Sequence, residues 1–329
     1  MPLSNFYGEL AAIGGAVCFG VGNVIIKSQG NKINPIAINA IRLSFTAIFY
    51  LILISATGVL VEAFTMGLRS SLLIVFGTLM GIIIGDVIFY FSQQAIGLSR
   101  AYPIAVSYPL LTYLVGIIFD YEIYDKFRIQ GVLLVVLGVY LVSSSTSDQN
   151  NQFELVYRTT IKYGNTSDTE ESNLLEVKKK SRRIILIGIL GAIATAFCWT
   201  IGTVMMAQGL NNVNNVDSGI SPNAFRMICI APVAVSIFFI GNRGKMKSKF
   251  SKKGVILILV AGIIGNTIGS LLYLLALANS EASTIAAITA TSPLIATPLS
   301  VIFLKEKVSL LLILGTFITL CGIWLIILY

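Results

Sequence analysis

Ten apolar segments, each long enough to cross a lipid bilayer, occupy most of this 329-residue chain. A membrane-spanning helix needs about 20 mainly apolar residues, and 56% of the chain is hydrophobic whereas only 12% is charged. Because little sequence remains outside these segments, we expect no large soluble domain in this chain. We name the segments spans 1 to 10; they cover residues 8–28, 35–57, 71–96, 101–119, 127–145, 184–208, 222–241, 254–278, 282–304 and 308–328.

The composition also argues against several kinds of chemistry. The chain contains no histidine, and its four cysteines lie inside spans without a C-x-x-C spacing. These features disfavour a metal site and a disulfide framework, so we expect neither a metal nor a cofactor. The N-terminus has no basic segment, and Glu9 begins its apolar run, so we expect span 1 to be a helix and not a cleaved signal peptide.

The second half of the chain repeats the first. The stretch YPLLTYLVGIIFDYE (108–122) matches SPLIATPLSVIFLKE (292–306) at an offset of 184 residues, which aligns Pro109 with Pro293. The same offset aligns Arg42 with Arg226, Gly81 with Gly265, Gly85 with Gly269, Gly131 with Gly315 and Gly138 with Gly322. At the start of each half the offset is 180, and it aligns Cys18 with Cys198.

This duplication predicts the domain organisation. Residues 1–145 form a first five-helix repeat, residues 146–183 a polar linker, and residues 184–329 a second five-helix repeat. Because each copy holds an odd number of spans, the copies must have opposite orientations in the membrane. We therefore predict an all-α membrane protein with ten transmembrane helices, arranged as two inverted repeats around a central cavity, as in many secondary transporters.

The linker between the repeats has no apolar periodicity. We interpret it as a mobile, solvated segment. The alternative is that its basic end, LLEVKKKSRR, lies on the lipid surface.

Three prolines inside spans 4 and 9 predict irregular helices. Pro109, Pro293 and Pro298 lack the backbone N–H and each frees a carbonyl group four residues earlier. Lipid does not satisfy such a carbonyl, whereas neighbouring helices, side chains or water do. We therefore expect these prolines to kink spans 4 and 9 towards protein or a wet cavity, and the alternative is a kink that serves packing only.

Spans 3 and 8 carry small residues at intervals of four. This spacing lets helix backbones approach closely in lipid, so we expect close packing there, with sliding between states as the alternative. The residues are Gly77, Gly81 and Gly85 in span 3 and Ala261, Gly265 and Gly269 in span 8.

Asp86 is the acidic residue that lies deepest within a span. It shares a helix face with Tyr90 and Gln93. An ionisable residue at this depth usually faces the bundle interior. In the functional interpretation, Asp86 binds a cationic group or a coupling proton; in the structural one, it pairs with Arg42 or bonds to a nearby tyrosine.

Further polar side chains complete a candidate substrate-binding cavity. Span 8 carries a stripe of polar residues on one face, with Ser270 at the position equivalent to Asp86. We expect Arg42 either to hold a substrate carboxylate or to extend to the interface. Arg226 is expected to extend to the interface. The remaining cavity candidates are Asn23, Tyr108, Thr112, Trp199, Thr203, Asn266, Tyr273 and Ser292.

The sequence resembles the EamA-type branch of the drug/metabolite transporter superfamily. The resemblance rests on the paired motifs PLLTYLVGIIFDYE and PLIATPLSVIFLKE, and on the first-span motifs AVCFGVGNVIIK and AFCWTIGTVMMA. It implies a secondary carrier of small organic metabolites, commonly an exporter of amino acids or related compounds. It also implies a cavity formed by spans 1–4 and 6–9, and both termini in the cytoplasm.

We therefore expect a membrane transporter whose partners are a small-molecule substrate, a coupling proton and the lipid bilayer. It would work as a monomer in the plasma membrane, without nucleic acid. A non-transporting scaffold or receptor is the first alternative. A membrane-embedded enzyme is a weaker one, because the spans lack histidine and paired carboxylates.

The distribution of basic residues predicts an orientation opposite to the one that the resemblance implies. Of the 23 lysines and arginines, those in loops lie almost entirely on the side that holds GNRGKMKSKFSKK (241–253). The opposite side carries only Arg69, Lys126 and Arg128. Because basic loops stay in the cytoplasm, we predict that both termini lie outside. A reporter fused after Tyr329 that is active only in the cytoplasm tests this prediction, and its activity would contradict it.

Overall fold

Helices form all ten predicted spans. The computed structural model describes residues 3–30, 33–119, 125–144, 169–211, 213, 219–241, 251–280, 282–305 and 308–328, and the regular secondary structure in these ranges is helical. A short helix, Leu60–Phe64, connects spans 2 and 3. The helices of the spans are Leu3–Gly30, Pro35–Thr57, Leu68–Ile96, Leu98–Ile118, Lys126–Ser144, Thr169–Leu210, Ile220–Gly241, Lys252–Asn279, Ala282–Leu304 and Leu310–Leu328.

The predicted fold class is confirmed. Among the described residues, eight helices are long and apolar enough to cross a membrane, and spans 5 and 10 contribute shorter apolar helices over Ile129–Val142 and Leu310–Leu325. The side chains that face outward are largely apolar, which is the surface that lipid requires. The chain is therefore an integral membrane protein with two five-helix repeats.

Span 2 shows how local sequence sets the helix ends. The Asn34 side chain accepts a hydrogen bond from the backbone N–H of Ile36 at 2.9 Å, and Pro35 occupies the first helical position, where no N–H is needed. Gly58 ends the helix in the left-handed conformation, with φ of 77°. Arg42 is thereby placed two turns into the membrane-spanning helix.

The helix that contains span 6 begins earlier than the sequence predicted. It starts at Thr169, inside the segment interpreted as a linker, and continues to Leu210. The residues before the span are rich in glutamate, leucine and lysine, which favour helix. The helix thus extends into the segment interpreted as a linker, and the rest of that segment lies outside the described residues.

Spans 3 and 8 are each interrupted by a π-helical segment. The segments cover Leu79–Gly85 and Gly262–Gly269, which occupy equivalent places in the two repeats. They include Gly81 and Gly85 of one small-residue ladder and Gly265 and Gly269 of the other, so the helices widen within the segments that carry these small residues. Such segments are uncommon and are frequent at functional sites.

Contacts between spans 5 and 10 show that the repeats are inverted. A Cβ atom added at Gly322 would lie 2.6 Å from the Gly131 carbonyl oxygen, and one added at Gly315 would lie 2.9 Å from that of Gly138. As residue number rises in one helix it falls in its partner, so these equivalent helices run antiparallel. Two halves with antiparallel equivalent helices have opposite orientations.

The halves also pack through repeated contacts. Span 1 packs on spans 8 and 9, and span 6 packs on spans 3 and 4. A Cβ added at Gly85 would lie 3.1 Å from the Cβ of Cys198, and one added at Gly269 would lie 2.9 Å from the Cβ of Cys18. These two contacts involve equivalent residues, so one interface geometry is used twice, as the predicted small-residue packing requires.

The contact between spans 5 and 10 yields a stability prediction. We expect Gly322→Ala to lower the free energy of unfolding by about 1–3 kcal/mol, because the new methyl group would overlap the Gly131 backbone. Gly265→Ala is the matched control, since nothing lies within 4 Å of an added Cβ there. Thermal unfolding of the purified variants measures the difference, and equal stability of both variants would contradict the described contact.

Candidate functional site

Two broken helices shape the interior of the bundle. Span 4 consists of Leu98–Ala105 and Tyr108–Ile118, and span 9 consists of Ala282–Thr289 and Pro293–Leu304. Pro109 and Pro293 lie at the start of the second half of each span, where the missing N–H costs least. The predicted irregularity is therefore a break in each helix.

Side chains satisfy the backbone at these breaks. The Thr289 carbonyl, which Pro293 leaves without its helical partner, accepts from the backbone N–H of Ser292 at 3.1 Å and from the Ser292 hydroxyl. In span 4 the Ile104 carbonyl accepts from the backbone N–H of Ser107 at 3.2 Å and from the Ser107 hydroxyl at 2.7 Å. The breaks are thus compatible with membrane depth because protein groups surround them.

The three prolines differ in their surroundings. Pro109 and Pro293 are buried, whereas Pro298 is exposed inside the helix Pro293–Leu304. The expectation that all three face protein or a wet cavity is wrong for Pro298. The break in span 9 coincides with Pro293, and Pro298 removes one donor from a helix that continues past it.

A cavity lies between the two repeats. Its free volume is about 900 Å³, including the part that opens to solvent, and spans 1–4 and 6–9 line it. The cavity lies against eleven of the predicted site residues, namely Asn23, Arg42, Asp86, Tyr90, Tyr108, Trp199, Thr203, Asn266, Ser270, Tyr273 and Ser292.

Two predicted site residues, Gln93 and Thr112, are buried but do not line this cavity. The backbone carbonyl of Gln93 accepts a hydrogen bond from the Lys27 ammonium, and the Thr112 hydroxyl bonds to the Tyr108 carbonyl. Gln93 lies nearly two turns from Asp86, so it is displaced along the helix although it shares the same face. The structure thus gives Thr112 a backbone-capping contact.

A compact ion-pair cluster occupies one wall of the cavity. The Arg42 guanidinium forms an ion pair with the Asp86 carboxylate, and it donates to the Asn266 amide oxygen at 2.8 Å. It also donates twice to the Asn39 amide oxygen, at 2.8 and 3.0 Å. The second Asp86 oxygen accepts from the Trp199 indole N–H at 2.9 Å. Both carboxylate oxygens therefore have donors.

This cluster matches the structural interpretation of Asp86, the ion pair with Arg42. Arg42 is only 4% exposed and its guanidinium carbon lies 5.0 Å from the centre of the Tyr90 ring. It therefore does not extend to the interface. Such a pair is stable at membrane depth because each charge is neutralised and hydrogen-bonded.

The equivalent position in the second repeat has the same arginine without the acid. Arg226 is 1% exposed and lines the cavity, so the expectation that it extends to the interface is wrong. Its Nε donates to the Asn223 amide oxygen at 2.7 Å, Nη1 to the Met206 sulfur at 2.8 Å, and Nη2 to the Ser270 carbonyl at 3.4 Å. Ser270 stands where Asp86 stands in the first repeat.

The sequence contains a signal that would have located Arg226. The offset of 184 aligns Asn39 with Asn223 as well as Arg42 with Arg226, so each repeat carries an N-x-x-R motif. In both repeats the asparagine holds the arginine three residues later. The shared motif therefore indicates that both arginines are held inside the bundle and do not extend to the membrane interface.

Aromatic rings line the middle of the cavity. Trp199 packs edge-on against Tyr108 with ring centres 5.9 Å apart, and Phe19 packs edge-on against Tyr273 at 6.1 Å. The Tyr273 hydroxyl bonds to Thr203 at 2.7 Å. Stacking surfaces beside hydroxyl groups are typical of sites for amphipathic small molecules.

Some lining residues carried no distinctive signal in the sequence. Tyr102, Met206 and Thr289 line the cavity together with Phe19, but each resembles an ordinary packing residue of a membrane helix. Met206 contacts Arg226 and the Thr289 hydroxyl bonds to that of Tyr108 at 2.6 Å. Their roles arise from partners on other spans, which local sequence does not specify.

Comparison with known proteins places the chain in a family. The sequence profile of the EamA-like transporter family matches residues 6–144 and 186–328. An uncharacterized transporter from Archaeoglobus fulgidus is 21% identical over 327 residues, and the match covers 97% of each chain. A solved crystal structure has the same fold, with a TM-score of 0.64 at 13% identity over 98% of this chain and 97% of that one. This chain therefore belongs to the EamA-like transporter family.

Proposed function

We propose that this membrane transporter is a secondary carrier that moves a small organic metabolite by alternating access. The substrate would be amino-acid-like or a related compound, and the direction would be export from the cell across the plasma membrane, by the protein as a monomer. The observation that carries this proposal is the cavity between the inverted repeats, which both repeats line with polar and aromatic groups.

The size and lining of the cavity favour a small organic substrate. Its volume of about 900 Å³, which includes open space, falls in the range typical of sites for small molecules. Tyr108 and Trp199 offer ring faces and edges, while Asn23 and Ser292 offer hydrogen-bonding groups. An inorganic ion would need a tighter polar cage than these walls provide.

The repeated interface supports alternating access. Each repeat packs on the other through equivalent contacts, such as Gly85 with Cys198 and Gly269 with Cys18. Two halves with equivalent contacts can exchange their conformations, so that a cavity open to one side becomes open to the other. Such an exchange would bend the helices at the breaks in spans 4 and 9, because fewer helical hydrogen bonds have to be broken there.

A proline substitution tests the role of these breaks. We expect Pro293→Ala to slow transport while leaving membrane insertion intact, because alanine restores the N–H that a continuous helix across residues 290–292 requires. Pro232→Ala is the matched control, since Pro232 is exposed inside the uninterrupted helix of span 7. Exchange rates in vesicles are compared at equal protein content, and normal turnover by Pro293→Ala would leave this proline a packing residue.

We further propose that Asp86 couples transport to protons. Its carboxylate lies against the cavity and is held by Arg42 and Trp199. Release of Arg42 during the cycle would leave a carboxylate that a proton or a substrate cation can neutralise.

Asp86→Asn tests this coupling. We expect the variant to lose the pH dependence of transport, because the amide cannot exchange a proton. It will also leave Arg42 unpaired, at a cost to stability on the order of 3–5 kcal/mol. The double variant Asp86→Asn, Arg42→Gln removes that unpaired charge and separates the two effects. The single variant and the wild type are compared from mildly acidic to mildly alkaline pH. If their transport rates are equal throughout, Asp86 has no part in the coupling mechanism.

A non-transporting scaffold or receptor is the competing function. Substrate counterflow in reconstituted vesicles, without added nucleotide, distinguishes the two. We expect accumulation of labelled metabolite against preloaded unlabelled metabolite. The scaffold alternative gains support if a broad panel of amino acids and related compounds gives no counterflow.

A further inference from the structure

One buried charge in the cavity has no partner of opposite sign. Among the described residues Arg226 has no carboxylate within 4.0 Å, although its side chain is 99% removed from solvent. The cost of an ionised group at this depth is high unless it is paired. The equivalent Arg42 avoids that cost because it pairs with Asp86. The repeats therefore differ in that the first carries an acid beside its arginine and the second does not.

The contacts of Arg226 leave hydrogen-bonding capacity unused. A guanidinium has five N–H donors, and the described contacts of Arg226 take one from each of its three nitrogens. One of these goes to the sulfur of Met206, a weak acceptor, and another reaches the Ser270 carbonyl at 3.4 Å. A carboxylate accepts from a guanidinium through two parallel bonds, which are shorter and stronger than these.

Arg226 lines the cavity, whereas Asn223, which holds its Nε, lies outside the cavity lining. The Asn223 side chain donates to the Tyr50 hydroxyl at 2.6 Å and to the Ser270 hydroxyl at 3.1 Å, so its remaining oxygen is directed to Arg226. Tyr50 in turn donates to the Thr267 carbonyl at 2.7 Å. The arginine is therefore held by a network of side chains whose hydrogen bonds are already made within the protein.

From this geometry we infer that Arg226 is the anion-binding residue of the carrier, and that its substrates carry a carboxylate. This inference rests on the proposed function and narrows its substrate class. The charges of Arg42 and Asp86 cancel, so the described charged residues that line the cavity leave one positive charge. A monocarboxylate, or an amino acid whose carboxylate reaches Arg226, neutralises it. A phosphate dianion would leave an uncompensated negative charge.

The repeat suggests a variant that supplies the missing acid. Ser270→Asp places a carboxylate at the position equivalent to Asp86, where it can pair with Arg226 in place of the substrate. Ser270→Asn has a similar size without the charge. We expect Ser270→Asp to lower the affinity for carboxylates about tenfold or more, whereas Ser270→Asn keeps the preference for acid over amide.

Binding is measured on the purified full-length protein with matched pairs of probes. Phenylacetate and 3-phenylpropanoate are compared with phenylacetamide and 3-phenylpropanamide, and L-phenylalanine with its amide. The readouts are thermal stabilisation and the fluorescence of Trp199, which lines the cavity, in a Trp324→Phe background. We expect the acids to bind about tenfold or more tightly than their amides, and Arg226→Met to remove that difference.

Ser270→Asp keeps the inference testable if Arg226→Met does not fold. The inference is overturned if no acid in the panel binds better than its amide, or if Ser270→Asp and Ser270→Asn show the same acid preference. Counterflow with the same probes separates this outcome from failure of the carrier proposal. If amides show counterflow and acids are not preferred, the carrier proposal stands and the anion site is rejected. If acids bind preferentially but no probe shows counterflow, the anion site stands and the carrier proposal is rejected.

Discussion

The structure depends on one constraint, that lipid offers no hydrogen-bonding partners to an exposed backbone. Helices satisfy this constraint by themselves, so breaks in spans 4 and 9 are permissible only inside the bundle. There, Ser292 donates to the Thr289 carbonyl in span 9, and Ser107 donates to the Ile104 carbonyl in span 4. The same interior position makes the breaks part of a cavity wall. The lack of hydrogen-bonding partners in lipid therefore explains both why the breaks lie inside the bundle and why they border the cavity.

Inversion of the repeats adds a second constraint, because each contact at the interface between halves must be made twice. Small residues meet this requirement at Gly85 with Cys198 and at Gly269 with Cys18. Spans 5 and 10 pack through glycines outside the cavity-lining set. Residues at the interface are thus restricted in size, whereas some residues that line the cavity differ between the repeats, as Asp86 and Ser270 do.

The sequence predicted the spans and the inverted repeats because apolar length and repeat offset follow directly from the order of residues. It also identified most of the polar groups that line the cavity, since buried polar residues in a membrane helix have few other roles. It failed for Arg226, because distance from a helix end does not tell whether a long side chain extends to the interface or turns inward. The N-x-x-R motif shared with Arg42 contained that information.

Other features were beyond sequence reasoning. The glycines of the π-helical segments Leu79–Gly85 and Gly262–Gly269 predicted close packing, but they did not indicate that the helix would widen there. The placement of Met206 against Arg226 depends on contacts between different spans. Where a property arises from partners distant in sequence, periodicity within one helix cannot indicate it.

The charge difference between the repeats has a consequence for the proposed carrier, because it would make the empty and the loaded protein behave differently. If the halves exchange conformations, Arg42 still has Asp86 on a neighbouring span, whereas the described partners of Arg226 are the uncharged Asn223, Met206 and Ser270. An intermediate closed to both sides would bury that unpaired cation away from water, at a high cost in free energy. A bound carboxylate removes this cost, so the loaded carrier should cross the intermediate faster than the empty one. Such a preference favours exchange of substrates over unidirectional leak, without a separate gate.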